Sequence, residues 1–91
     1  MAIAVLIDYS GATHEQYYSV LSRLNLGCKM APGGIFHIAG PTEDGWRAVD
    51  IWESREAFER FRRDAFDEAL KEEGMPEPNI SVWPIHNKLD G

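Results

Sequence analysis

One cysteine, Cys28, in 91 residues leaves no partner for an intramolecular disulfide, and no Cys/His group has the spacing of a structural zinc site. A cross-linked secreted scaffold and a zinc-held domain are both excluded. Basic residues are scarce as well: nine Lys and Arg stand against fifteen Asp and Glu, for a formal net charge of −6. The one local basic group, Arg60, Arg62 and Arg63, has acidic neighbours, so nucleic acid is not an expected partner. Long hydrophobic runs are missing. The apolar stretch within Met1–Asp8 is too short to span a bilayer and lacks the basic start of a secretory signal, which argues against a membrane and, with the single cysteine, fits a reducing cytoplasm. Gly33-Gly34 lacks phosphate-loop spacing, and no metal-ligand cluster is present, so no metal, haem or flavin cofactor is expected. Repeats and linkers are absent too, and residues 1–91 read as one domain.

What is present is a clear change of hydrophobic period. Through Trp46-Arg47-Ala48-Val49-Asp50-Ile51-Trp52 the chain is β-branched or aromatic and apolar in both phases of a period-2 pattern. After Ser54, a good N-cap, Phe58, Phe61, Ala65 and Ala69 recur at helical spacing. A strand therefore hands over to a helix at Ser54. The helix should run from about Arg55 to Glu73, stop at Gly74, and be prevented from continuing by Pro76 and Pro78.

The rest of the chain divides in the same way. Ala2 to Asp8 reads as a strand and Tyr9 to Ala12 as a turn. Thr13 with Gln16 forms a capping box, and Tyr17, Val20, Leu21 and Leu24 make a helical stripe that ends at Gly27. Ile35 to Ala39 and Trp46 to Glu53 form a hairpin closed by Pro41-Thr42-Glu43-Asp44-Gly45, with Asp44-Gly45 as the tight-turn pair. Ile80 to Asn87 is the last strand, and Pro84 assigns it to a sheet edge. The order βαββαβ with right-handed crossovers predicts an α+β, ferredoxin-like antiparallel sheet of order 4-1-3-2 with both helices on one face.

Such a sheet should alternate apolar with polar residues, yet Ala4-Val5-Leu6-Ile7, Ile35-Phe36-His37-Ile38 and Val82-Trp83-Pro84-Ile85 do not. Both faces call for burial. A domain of this length removes only roughly 60–65% of its unfolded surface from water, and the helices cover one face, so a homodimer is expected through the other.

The element order, the apolar sheet and the run Val49-Asp50-Ile51-Trp52-Glu53-Ser54-Arg55-Glu56-Ala57-Phe58 resemble the antibiotic biosynthesis monooxygenase-like family of dimeric α+β barrels. The resemblance spans the whole chain. It implies a pocket between sheet and helices of one subunit, faced by Trp52, and a range of roles that includes cofactor-independent oxygenation of aromatic compounds and haem degradation. Several catalytic members carry a histidine about ten residues after the tryptophan; this chain has Phe61, Arg62 and Arg63 there, and Ala48 where some use an asparagine. Haem degradation is disfavoured, because no helical histidine can serve as axial ligand.

Strand parity identifies the residues that share the pocket face. With an even-numbered hairpin loop, odd-numbered residues of the second strand lie on the face of even-numbered residues of the third, so His37 joins Asp50 and Trp52. If that face looks toward the helices, Trp46, Trp52, His37 and Asp50 line a pocket with Phe58 or Phe61 above, Tyr17 reaches it from the first helix, and Val49 and Ile51 face the partner. A carboxylate beside an imidazole fixes its tautomer and suits proton abstraction from a phenol or an enolisable carbon. The catalytic candidates are His37 and Asp50, and the substrate-binding candidates are Trp52, Trp46, Phe58, Phe61 and Tyr17. Two readings remain: a homodimer that binds a small aromatic or hydrophobic metabolite and oxygenates it without a cofactor, and a non-enzymatic ligand-binding or accessory homodimer in which the His–Asp pair is structural.

Overall fold

Thr13 and Ser54 begin the two helical segments as their side chains allow. The Thr13 hydroxyl accepts from the Gln16 N–H while the Gln16 side chain accepts from the Thr13 N–H, and the Ser54 hydroxyl accepts from the Ala57 N–H. In the computed structural model, which describes residues 1–91, the elements are β1 (Ile3–Ser10), α1 (His14–Leu24), β2 (Gly34–Pro41), β3 (Gly45–Trp52), α2 (Arg55–Phe61), a π-helical turn (Arg62–Phe66), α3 (Asp67–Glu72) and β4 (Asn79–Pro84). The four strands form an antiparallel sheet of order β2-β3-β1-β4, the order 4-1-3-2 read from the other edge.

The helix-facing side of the sheet carries Ile3, Val5, Ile7 and Tyr9 of β1 with Trp46, Ala48, Asp50 and Trp52 of β3, all buried. Against them pack Tyr17 and Val20 of α1, Ala57 and Phe58 of α2, Phe66 of the π turn, and Ala69 and Leu70 of α3. Trp52 and Phe58 are fully buried at the centre. Arg23 ties α1 to the end of α3 by donating to Glu72 and Glu73 at 2.7 and 2.6 Å.

Several boundaries differ from the sequence expectation, each for a local reason. β1 continues to Ser10, because Tyr9 pairs with Trp46 and Ser10 with Gly45. α1 stops earlier, at Asn25 in the left-handed region (φ 53°), and Gly27 belongs to the following turn. β4 ends at Pro84 rather than Asn87, at the sheet edge opposite Ile3, with one further bond from Ile85 N–H to the Ala2 carbonyl. In the hairpin, Pro41 faces Trp46 and the Thr42 N–H donates to the Gly45 carbonyl, which leaves Glu43 and Asp44 at the tip. Gly45 serves as a point of close approach: a Cβ there would collide with the Tyr9 carbonyl oxygen.

Two irregularities were not foreseen. Ile35 is an extra residue in β2, since Gly34 pairs with Trp52 and Phe36 with Ile51. The predicted single α-helix is interrupted at Arg62–Phe66, where the Asp67 N–H reaches back to the Arg62 carbonyl. One residue is thereby inserted into the helical repeat, so Phe66 is buried where the regular spacing selected Ala65, which is only partly buried.

The opposite sheet face has no helices. Leu6, Val49 and Ile51 lie there partly buried, while Phe36, Ile38 and Trp83 are exposed at 45, 56 and 45%. No helix is long and apolar enough to cross a membrane.

Candidate functional site

His37 and Asp50 are direct partners across the β2–β3 ladder, and both point toward the helices. The bulge at Ile35 lies beyond them, so the hairpin keeps its odd-sum register from Pro41 to Phe36. His37 Nδ1 meets Asp50 Oδ1 at 2.5 Å, the other carboxylate oxygen accepts from Trp52 Nε1 at 3.2 Å, and His37 Nε2 meets the Tyr17 hydroxyl at 2.5 Å. Four side chains from α1, β2 and β3 thus form one line of hydrogen bonds. Asp50 is the one buried charged residue, and its bonds to two donors compensate for its removal from water.

This line forms the polar part of a cavity of about 660 Å³ between α1, the sheet and the π turn. Seventeen of its twenty-two lining residues are hydrophobic, the composition expected of a small-molecule site with a few orienting polar groups. Ile7, Tyr9, Ala48, Asp50 and Trp52 form the floor; Tyr17, Val20, Leu21 and Leu24 form one wall, Phe61 and Phe66 another. Residues Leu26 to Ala31 of the α1–β2 loop, with Ile35 and Phe36, border the mouth. Gly33 (φ 90°) seats that loop: its carbonyl accepts from the Glu53 N–H, and a Cβ would fall 2.5 Å from Ala57 Cβ.

Burial, followed by the neighbouring Tyr18 and Asp50, pushes the Tyr17 hydroxyl up to about 12. Tyr9 is raised further by burial and then by Asp50 and Tyr17. Both phenols are therefore neutral at ordinary pH. No group of three His, Cys, Asp or Glu side chains is arranged to hold a metal ion.

Of the residues singled out from the sequence, His37, Asp50, Trp52, Phe61 and Tyr17 all border this cavity. Trp46 and Phe58 do not. Trp46 shares the sheet face but stacks outside the wall, 5.2 Å from Tyr17 and 5.9 Å from His14, with its buried Nε1 lacking a partner. Phe58 lies behind Trp52, ring centroids 5.7 Å apart, as core. Sequence reasoning missed Tyr9, Phe66, Met75 and the loop residues. The odd phase of β1 would have found Tyr9 had the strand been carried one residue further, whereas Phe66 had no signal under an assumed regular helix.

Comparisons with known proteins bear on the fold. No protein-family model and no curated protein sequence matches the chain. Solved structures do. SnoaB, a cofactor-independent oxygenase from Streptomyces nogalater, superposes with a TM-score of 0.68 at 15% identity over 99% of this chain and 97% of that one. Rv0793 from Mycobacterium tuberculosis gives 0.76 at 12% identity over 99 and 100% of the two chains. A dimeric ferredoxin-like protein from Thermobifida fusca gives 0.68 at 12% over 93 and 92%. Structures assigned to the antibiotic biosynthesis monooxygenases, such as one from Deinococcus radiodurans at 0.65 and 14% over 99 and 97%, match in the same way. The chain has the fold of the antibiotic biosynthesis monooxygenase-like proteins. In this ferredoxin-like fold the cavity lies between the sheet and the helices, and the opposite sheet face carries no helix.

Proposed function

We propose that the protein binds a small aromatic or hydrophobic metabolite in the cavity under α1 and acts on it as a cofactor-independent monooxygenase, with His37 and Asp50 handling the proton, Trp52 in the floor and Phe61 in the wall. The observation that carries this reading is the hydrogen-bonded line from Tyr17 through His37 to Asp50, set in a largely apolar cavity of about 660 Å³. The shared fold with an oxygenase supports it. Removing a proton from a hydroxylated ring makes an electron-rich anion, the form that reacts with dioxygen. In the net reaction the substrate supplies the electrons: an RCH2 centre and O2 become RC=O and water.

The test is oxygen uptake with hydroxylated polycyclic aromatics, alongside tryptophan fluorescence in a Trp46→Phe/Trp83→Phe background that isolates Trp52. Binding should quench the emission, and turnover should consume O2 and fall by about 10²-fold or more in Asp50→Asn. Quenching without oxygen uptake supports a second reading, a non-enzymatic ligand-binding homodimer. That alternative draws support from the closed hydrogen bonding of Asp50, which also suits a purely structural polar pair.

A further inference from the structure

Both ring nitrogens of His37 are already engaged. A carboxylate only accepts, so the nitrogen facing Asp50 carries the hydrogen, and in the neutral imidazole that the relay requires Nε2 keeps its lone pair. The Tyr17 hydroxyl must then donate to Nε2. This gives the chain of hydrogen bonds a direction: its outer end is the Tyr17 oxygen, whose own lone pairs are free to accept. A ligand could reach the His37 lone pair only by displacing Tyr17. That ring is 8% exposed and held by Tyr18 and Trp46, with centroids 5.0 and 5.2 Å away.

We infer that Tyr17 is the residue the ligand meets and that it relays the proton of a ligand hydroxyl to His37, an inference that rests on the cavity being a binding site. The ligand O–H gives its proton to the Tyr17 oxygen as the Tyr17 proton moves to His37 Nε2. Two O–H bonds break while one O–H and one N–H form; the ligand is left as an oxyanion and the imidazolium faces Asp50. Tyr17 is neutral before and after, so its reluctance to ionise in this buried place is no obstacle. The relay also selects the substrate. A hydroxyl can hydrogen-bond to the Tyr17 oxygen and enter the chain, whereas a C–H acid cannot, so the ligand is a phenol or an enol rather than a simple ketone.

4-Nitrophenol is a suitable probe, because its phenolate absorbs visibly and its acidity is close to that of an imidazole. In the wild-type protein the phenolate-to-phenol ratio of the bound probe near neutral pH should exceed that in Tyr17→Phe by at least about tenfold, one unit in its apparent ionisation. Both proteins should bind it, since the phenyl ring keeps the wall. Equal ionisation of bound probe in the two proteins would overturn the relay and leave the cavity reading standing. Failure of the wild-type protein to bind this or any aromatic probe would overturn both. A ligand-free measurement stands beside it: nitrogen NMR of labelled histidine should show His37 as the Nδ1–H tautomer, with the Nε2 resonance moving in Tyr17→Phe. An Nε2–H tautomer in the wild-type protein would reverse the chain and sink the inference.

Discussion

Asp50 combines a buried negative charge with two donors of different kinds, and this makes its amide variant informative. In Asp50→Asn the side-chain oxygen can accept from Trp52 or from His37, and the new NH2 group must face the other. If Trp52 keeps its acceptor, His37 turns to the opposite tautomer and its Nε2–H opposes the Tyr17 hydroxyl. The expected result is a folded protein destabilised by about 1–3 kcal/mol in denaturant melts, with the loss of turnover far exceeding what that destabilisation explains. Tyr9 and Tyr17 add a pH dependence of definite sign. The folded state holds Tyr17 neutral up to about 12, whereas the unfolded chain releases that proton near 10. Its stabilising effect is thus complete below pH 10 and is lost as the pH climbs toward 12. Thermal melts should fall across that window, and less steeply in a Tyr9→Phe/Tyr17→Phe protein. Gly45→Ala should destabilise by about 1–3 kcal/mol, because the added methyl meets the Tyr9 carbonyl rather than a flexible side chain. That His37 and Asp50 share a face was legible from parity, since it depends only on an even loop, but their direct pairing was not, because the expected Asp44-Gly45 turn would have set His37 opposite Trp52. The bond from Trp52 to Asp50 and that from Tyr17 to His37 were not, because they depend on side-chain reach across a face and between layers.

Among the elements, the π turn does most to shape the cavity. It brings Phe61 and Phe66 to one wall with their rings stacked, centroids 5.2 Å apart, and it lets the apolar stripes of α2 and α3 face the sheet together. Deleting Asp64, which is exposed, should close the turn into regular α-helix while keeping Phe58, Ala69 and Leu70 inward. We expect such a variant to retain helical circular dichroism and a cooperative melt, since Phe61 and the former Phe66 then stand at i, i+4 on one face, but to lose aromatic-probe affinity, because the shortened segment shifts both rings relative to the cavity floor. Strong destabilisation without change in affinity would argue that the turn serves packing alone. Hydrophobic spacing revealed that a helix follows Ser54 and which face it buries, but an inserted residue leaves no compositional mark. The bulge at Ile35 escaped for the same reason, since the stretch around it is apolar in both phases.

For the whole molecule, the open sheet face is the feature that calls for a partner. Phe36, Ile38 and Trp83 expose apolar surface beside Leu6, Val49 and Ile51, the kind of contiguous patch that solitary domains seldom leave to water. A two-fold copy laid face to face would cover it, and light scattering at micromolar concentration should give twice the chain mass. Val49→Asp, which places a charge in the middle of that contact, should shift the mass toward the monomer and lower the melting temperature in a concentration-dependent way. The sequence conveyed this need through strands apolar on both faces, and conveyed the sheet order through the βαββαβ succession, with Pro84 marking β4 as an edge, while the volume enclosed beneath α1 depends on how far the layers stand apart. The mouth of that enclosure has a practical consequence. Its loop carries the chain's one thiol, Cys28, exposed beside the opening. An environment-sensitive dye coupled to that sulfur would sit at the threshold without any engineered substitution, so its emission would report each arrival and departure of a guest, and a bulkier adduct at the same atom would act as a stopper.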